Sequence, residues 1–211
     1  LASTRLPNKP LLDIEGKPMI IRVLDQVKKC TMLSEIYVAT DDSQIFKCVE
    51  EQGDRSIMTS ANCPTGTDRL IEAVMQIDDA DIIVNIQGDE PLISPEMITV
   101  AIQHFLKSDC KMGTIATSSL TDEEFLNPNS VKVTLDQNGN ALYFSRAPIP
   151  FNRDAPSVKP NNALLHIGLY VYKKDFLLGY NQLQHSNLEH FEKLEQLRAI
   201  ENGFKIAVAI T

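Results

Sequence analysis

The chain has 211 residues, 43% of them hydrophobic and 23% charged, which suits one soluble globular domain with a sizeable core. Its formal charge of -8 argues against a general nucleic-acid binder, which needs a basic face to displace counterions, so an anionic ligand has to be held by local cations. Four cysteines with no C-x-x-C pair indicate neither a disulfide framework nor a zinc site, and with no membrane-length apolar run and no signal-peptide pattern the expectation is a reduced, cytoplasmic setting without membrane insertion.

The opening stretch, Leu1-Ala2-Ser3-Thr4-Arg5-Leu6-Pro7-Asn8-Lys9-Pro10-Leu11, puts two fixed cations in a proline-bounded loop of small residues. Such a loop can grip phosphate. Ser3 and Thr4 offer hydroxyls and backbone N–H groups, Arg5 a fork, and Lys9 a point charge able to follow a moving phosphoryl group. A solvated loop with two ordinary surface charges reads the same way when taken alone. Behind it, Pro18 opens a predicted helix whose stripe is Ile20, Ile21, Leu24 and Val27.

Apolar, β-branched runs then alternate with segments of helical period, the pattern of a predominantly parallel central sheet flanked by helices. Ile36-Tyr37-Val38-Ala39-Thr40 reads as a buried strand, residues 42–52 as a helix stopped by Gly53, and residues 68–77 as another. The loop Thr65-Gly66-Thr67-Asp68-Arg69 turns free N–H groups and two hydroxyls toward that helix start. Arg69 stands out there, because the helix dipole disfavours a cation in the first turn.

Ile82-Ile83-Val84-Asn85-Ile86 is a second buried strand, ending in Gln87-Gly88-Asp89-Glu90-Pro91. Asp89 would therefore sit at the carboxyl end of the sheet, where α/β proteins place ligands and where a carboxylate can hold Mg²⁺ against a triphosphate. A capping acid in a strand-to-helix turn gives the same string. Ser94-Pro95-Glu96 opens the next predicted helix.

After Gly113 the rhythm changes. Val131-Lys132-Val133-Thr134-Leu135 and Ala141-Leu142-Tyr143-Phe144-Ser145 flank Asn138-Gly139 and read as an inserted β-hairpin that could extend the sheet, form a flap or make a subunit contact. Arg146 closes its second strand, where it could bind a carboxylate or be solvated. The Pro-rich residues 147–160 read as a mobile loop. His166 opens a strand running through Ile167-Gly168-Leu169-Tyr170-Val171-Tyr172, and a lone histidine there is either a satisfied core residue or a ligand group.

Residues 188–202 read as one helix with Leu188, Phe191, Leu194 and Leu197 along a broad apolar arc. Glu195 and Arg198 fall within that arc, so they are expected either to pair with each other or to touch a ligand. Residues 205–210 supply the last strand. No G-x-x-x-x-G-K-[ST], G-x-G-x-x-G or G-x-S-x-G string occurs, which argues against P-loop NTPases, dinucleotide dehydrogenases and serine hydrolases.

Taken in order, the opening Ala-Ser-Thr-Arg-Leu-Pro-Asn-Lys-Pro-Leu loop, Val38-Ala39-Thr40-Asp41-Asp42, Met58-Thr59, Gly66-Thr67-Asp68-Arg69, Val84-Asn85-Ile86-Gln87-Gly88-Asp89-Glu90-Pro91, Ala141-Leu142-Tyr143-Phe144-Ser145-Arg146, His166-Ile167-Gly168 and Leu194-Glu195-Gln196-Leu197-Arg198 resemble the 3-deoxy-manno-octulosonate (KDO) cytidylyltransferases. The Leu-Tyr-Phe-Ser-Arg string separates that family from the similar sialic acid synthetases.

The resemblance implies a single Rossmann-like nucleotidyltransferase domain over residues 1–211, a homodimer, and a Mg²⁺-dependent enzyme that joins CTP to KDO for lipopolysaccharide synthesis. It places Ala2, Ser3, Arg5, Lys9, Thr67, Arg69 and Gln87 at the nucleotide, with Arg5, Lys9 and Asp89 catalytic and Asp89 holding the metal. Gln87, Arg146, His166, Glu195 and Gln196 would frame the sugar acid. Asn8 stands where the family usually has Gly, and Asn tolerates left-handed backbone angles. Both termini look truncated: the family's first strand and its C-terminal Gly-x-Asp-Thr-Pro segment, whose Asp would be a second metal ligand, are not in the sequence, and a chain ending at Thr211 is expected to bind metal poorly and turn over slowly. Two other readings keep the fold: a cytidylyltransferase for another sugar acid such as sialic acid, and a non-catalytic nucleotide-binding module.

Overall fold

A computed structural model describes residues 9–91, 93–155 and 158–211. Ala2, Ser3 and Arg5 therefore lie outside the described residues. The chain divides into two compact units, one up to Thr99 and one from Val100 onward.

In the first unit a tight antiparallel pair, β1 (Asp13–Ile14) and β2 (Lys17–Pro18), turns through Glu15 and Gly16. Gly16 has φ +81°, a left-handed angle natural to glycine, and its N–H donates to Asp13 Oδ1 at 2.8 Å. Helix α1 (Met19–Val27) follows at once because its apolar positions all fall on one face: Met19, Ile20, Ile21, Val23, Leu24 and Val27 are buried. Arg22, on the other side, ties the helix back to the turn through the carbonyls of Ile14 and Glu15.

Strand β3 (Tyr37–Thr40) leads to α2 (Ser43–Glu50), which Asp42 caps by accepting from the Gln44 and Ile45 N–H groups. Beyond Gly53 the chain returns as β4 (Arg55–Met58), parallel to β3 in the register Tyr37↔Arg55 to Thr40↔Met58. This βαβ step is the alternating plan read from the sequence, although β4 itself, only four residues with Arg55 at one end, was not legible. Ile20, Ile21, Leu24 and Val49 form a core cluster, with Ile36, Val38, Ile45 and Cys48 packed against it. Helix α3 (Gly66–Val74) and strand β5 (Ile82–Ile86) complete the described part, before α4 (Pro95–Leu106), within which the division into units falls.

The second unit holds β6 (Met112–Thr117), α5 (Asp122–Leu126), β7 (Lys132–Leu135), β8 (Ala141–Ser145), β9 (Leu164–Lys173), α6 (Lys174–Leu178), α7 (Asn187–Glu192), α8 (Gln196–Glu201) and β10 (Ile206–Ile210). Its strands lie in the order β10-β6-β9-β7-β8. Gly113 is there for closeness: a Cβ would stand 2.9 Å from the Phe105 ring.

The expected α/β class holds, but the pairing corrects the expectation of a predominantly parallel sheet. In this unit β10–β6 is parallel, whereas β6–β9, β9–β7 and β7–β8 are antiparallel. For β7–β8 the physical reason is connection length: the two are joined by a short turn through Gly139, and a turn that short can only reverse the chain. The hairpin extends the sheet, with β7 seated between β9 and β8.

The predicted helix over residues 188–202 is also corrected, to two short helices. Lys193 between them adopts a left-handed conformation at φ 54° and ψ 46°. The break leaves Phe191 79% exposed while Leu194 and Leu197 go into the core, an outcome one straight helix carrying all three on the same arc does not give.

Candidate functional site

In the first unit, the end of β5 delivers Gln87 and Asp89 to an exposed position. Lys9, at the start of a short 3-10 turn over Lys9–Leu11, reaches Asp89 with its Nζ 2.8 Å from Oδ2. Cation and carboxylate are separated by 80 residues of chain and meet in the folded unit. Gly88 between strand and carboxylate lies close to α1, where a Cβ would sit 3.3 Å from Ile20 Cδ1. Desolvation raises the neighbouring Glu90 carboxyl, as does the charge on Asp89, against the pull of Lys9.

Thr65 and Asp68 form a reciprocal capping box at the head of α3, which accounts for the Thr-Gly-Thr-Asp string locally. Thr67 lies in the first turn and is half-buried. Arg69 is mostly buried, pairing through Nη2 with Asp41 at 2.9 Å and donating through Nη1 to Thr59 Oγ1 at 2.7 Å. A cation in the first turn thus has two partners that offset the unfavourable dipole.

In the second unit, Arg146 and His166 each lie one residue beyond a single sheet row, Ser145↔Lys132↔Leu165. Strands β8 and β9 run the same way on either side of β7, so the two residues fall at the same level across the sheet, His166 within β9 and Arg146 just past the end of β8. Arg146 is held by α7: its Nε donates to the Glu192 carbonyl at 2.7 Å, its N–H to Glu192 Oε2 at 2.9 Å, and Nη1 to the Pro128 carbonyl at 3.0 Å. Glu192 Oε1 also accepts from Ser145 Oγ at 2.6 Å and Tyr143 Oη at 3.3 Å. Desolvation pushes the Glu192 carboxyl up, but these hydrogen bonds outweigh it and hold the group below the usual range.

Beneath them Lys132 is fully buried, its Nζ donating to the carbonyls of Asn127, Ser130 and Arg146 at 2.8, 2.5 and 2.8 Å. Burial lowers its ammonium, the Glu192 charge raises it, and Arg146 lowers it again. Neither Lys132 nor Glu192 stood out in the sequence. Lys132 sits between two valines, as an outward residue of an alternating strand would, and Glu192 is one acid among several on a polar helix.

His166 packs its ring edge-on to Phe144 at 4.9 Å and beside Tyr170 at 5.4 Å. Desolvation drives its pKa down to about 3, so the ring is neutral at physiological pH. Gln196 is buried, and its Nε2 has no hydrogen-bond partner among the described residues. An unpaired buried amide is costly, and a ligand would relieve it. Glu195 stands just ahead of α8, its carbonyl accepting from Tyr180 Oη at 2.7 Å. Arg198 closes its fork on Glu189, with Nε 2.8 Å from Oε2, and lies over the Tyr180 ring.

Residues 1–206 match a family model described as cytidylyltransferase. A 3-deoxy-manno-octulosonate cytidylyltransferase of Trichlorobacter lovleyi is 49% identical over 218 residues, covering 99% of this chain and 86% of its own. One of the same name from Geobacter metallireducens is 48% identical over 219 residues, with 100% and 86% covered. Among solved structures, CMP:2-keto-3-deoxy-manno-octonic acid synthetase complexed with CTP superimposes with a TM-score of 0.91 at 40% identity, covering 99% of this chain and 85% of that one.

Proposed function

Since the chain belongs to the cytidylyltransferase family, we infer that it is an enzyme transferring CMP from CTP to the anomeric hydroxyl of KDO, releasing pyrophosphate and supplying an activated sugar for lipopolysaccharide synthesis. The observation that carries this reading is the identity of 49% and 48%, over nearly the whole chain, to enzymes of that name.

The residues support a division of labour. We assign Lys9 and Asp89, with Arg5, to the triphosphate, and Ala2, Ser3, Thr67, Arg69 and Gln87 to the rest of the nucleotide. Gln87, Arg146, His166, Glu195 and Gln196 are assigned to the sugar acid. The Arg146 fork suits its carboxylate, and the orphaned Gln196 Nε2 suits an oxygen.

Asp89 fits a bound Mg²⁺: it is half exposed, and its Oδ2 already holds a cationic group, the Lys9 ammonium, at 2.8 Å. A single carboxylate together with substrate phosphates is the donor set that ion takes. When bound, the metal neutralises phosphate charge and orients the phosphates.

In the reaction the anomeric oxygen attacks the α-phosphorus, the bond from that phosphorus to the bridging oxygen of the β-phosphate breaks, and the hydroxyl proton passes to solvent. Lys9, freed from Asp89, follows the charge that builds on the departing pyrophosphate. The protein contributes placement and fixed charge rather than a covalent intermediate.

The reading also takes residues 1–211 as one catalytic domain, which the match over residues 1–206 supports, working as a cytoplasmic homodimer. No helix among the described residues is long and apolar enough to cross a membrane. The test is pyrophosphate release with CTP plus KDO against CTP plus sialic acid, each with and without Mg²⁺. Release with KDO and Mg²⁺ alone is expected. Preference for sialic acid would move the enzyme to another acceptor, and no release from either by the full-length protein would leave a nucleotide-binding module.

A further inference from the structure

Strands β6 and β9 do not pair evenly. Thr114 faces Tyr170, but the next residue, Ile115, faces Ile167, so Gly168 and Leu169 have no partner on β6. Such a bulge bends the strand and re-aims its groups. At this bulge the Thr114 hydroxyl, 2% exposed as a residue, lies 2.7 Å from the Leu169 carbonyl and 3.0 Å from His166 Nε2.

The proton count at that hydroxyl indicates which nitrogen of the histidine carries a proton. A threonine has one hydroxyl hydrogen, and a carbonyl oxygen can only accept. The Thr114 hydrogen therefore goes to a backbone carbonyl, Leu169 at 2.7 Å with Ile167 farther off at 3.4 Å, and the 3.0 Å contact with His166 is a bond only if Nε2 carries the proton. Neutral imidazole with Nε2–H keeps its lone pair on Nδ1, which can then accept a hydrogen bond. The groups assigned to the sugar acid include donors, the Arg146 guanidinium and the Gln196 amide N–H, beside the Glu195 carboxylate as an acceptor. A sugar's hydroxyl protons need an acceptor as well, and a pair meeting donor to donor is strongly rejected.

We propose that Thr114 is a positioning residue for the acceptor sugar, locking His166 as the Nε2–H tautomer so that Nδ1 accepts a hydrogen bond from a sugar hydroxyl. This rests on the reading that His166 frames the sugar acid. The bulge is what makes the device work, since it supplies the carbonyl that takes up the threonine proton. A valine in place of Thr114 keeps the shape and removes the lock.

The test uses ¹⁵N-histidine-labelled full chain, with His166 assigned among the four histidines by His166→Gln. The expected spectrum shows a protonated Nε2 and a deshielded, lone-pair-bearing Nδ1, and addition of KDO shifts the Nδ1 signal. In Thr114→Val both nitrogens move toward tautomer-averaged positions and KM for KDO rises roughly tenfold, the equivalent of one lost hydrogen bond, while kcat and KM for CTP stay within about twofold. Thr114→Ser restores both signals and KM. A protonated Nδ1 in the wild-type chain, or a Thr114→Val protein with the wild-type spectrum and wild-type KM, overturns the proposal. The spectrum of the free protein is read without substrate, so an absence of turnover with KDO counts against the assigned function while the tautomer is judged separately.

Discussion

At the scale of single residues, burial makes predictions that pH and denaturant can read. His166 has its pKa lowered from 6.5 to about 3 by desolvation, so below pH 6.5 the unfolded chain binds a proton that the native chain does not. Stability contributed by the neutral ring is fully present above pH 6.5 and is lost as pH falls toward 3, at no more than about 1.4 kcal/mol per pH unit. Urea unfolding between pH 6.5 and 5.5, above most carboxylate titration, is expected to show this slope, and His166→Gln to flatten it. Lys132 offers a second test. Lys132→Met keeps the stem and deletes the ammonium, leaving three carbonyls without their donor, and is expected to lower unfolding free energy by about 2–4 kcal/mol. A loss under about 0.5 kcal/mol would mean those carbonyls find other partners.

At the scale of elements, the periodic segments were legible and the side-chain clamps were not. Residues 82–86, the stripe of α1 and the Asn138-Gly139 turn carry their structure in local chemistry, and each forms where its pattern places it. The sheet's direction was misread because strand patterns carry no polarity, and only the short β7–β8 connection held the information. The break at Lys193 was hidden for a different reason: a helical period survives a one-residue kink in the sequence. That kink matters, because α7 ends on Glu192, whose carboxylate and carbonyl fix both the N–H and the fork of Arg146. Glu192→Gln removes the charge and exchanges one of the two acceptor oxygens for a donor, so the Arg146 N–H and the Ser145 and Tyr143 hydroxyls can no longer all donate to it. Expected is a rise of five- to twentyfold in KM for KDO, the range of about 1–2 kcal/mol, with KM for CTP unchanged. Equal changes in both constants would show a general loss of fold instead.

At the scale of the whole molecule, the residues proposed for chemistry come from distant stretches of chain, and sequence order alone could not say that they meet. Lys9 and Asp89 do meet, at 2.8 Å, with side chains 34% and 47% exposed. An ion pair that open to water is worth at most about 1 kcal/mol, so stability does not account for bringing the two together. Their proposed value lies in the reaction: Asp89 would hold a metal ion that neutralises phosphate charge, and Lys9 would turn to the phosphates. Asp89→Asn keeps the shape and removes the charge, and Lys9→Met keeps the stem and removes the other. Each is expected to move unfolding free energy by less than about 1 kcal/mol while lowering kcat/KM for CTP by a hundredfold or more, the scale of losing one charge-stabilising group. Mg²⁺ titration separates them further, because Asp89→Asn raises the Mg²⁺ concentration needed for half-maximal rate and Lys9→Met leaves it near the wild-type value. Near-normal turnover in both variants would remove the triphosphate from this corner of the molecule, whatever the family likeness.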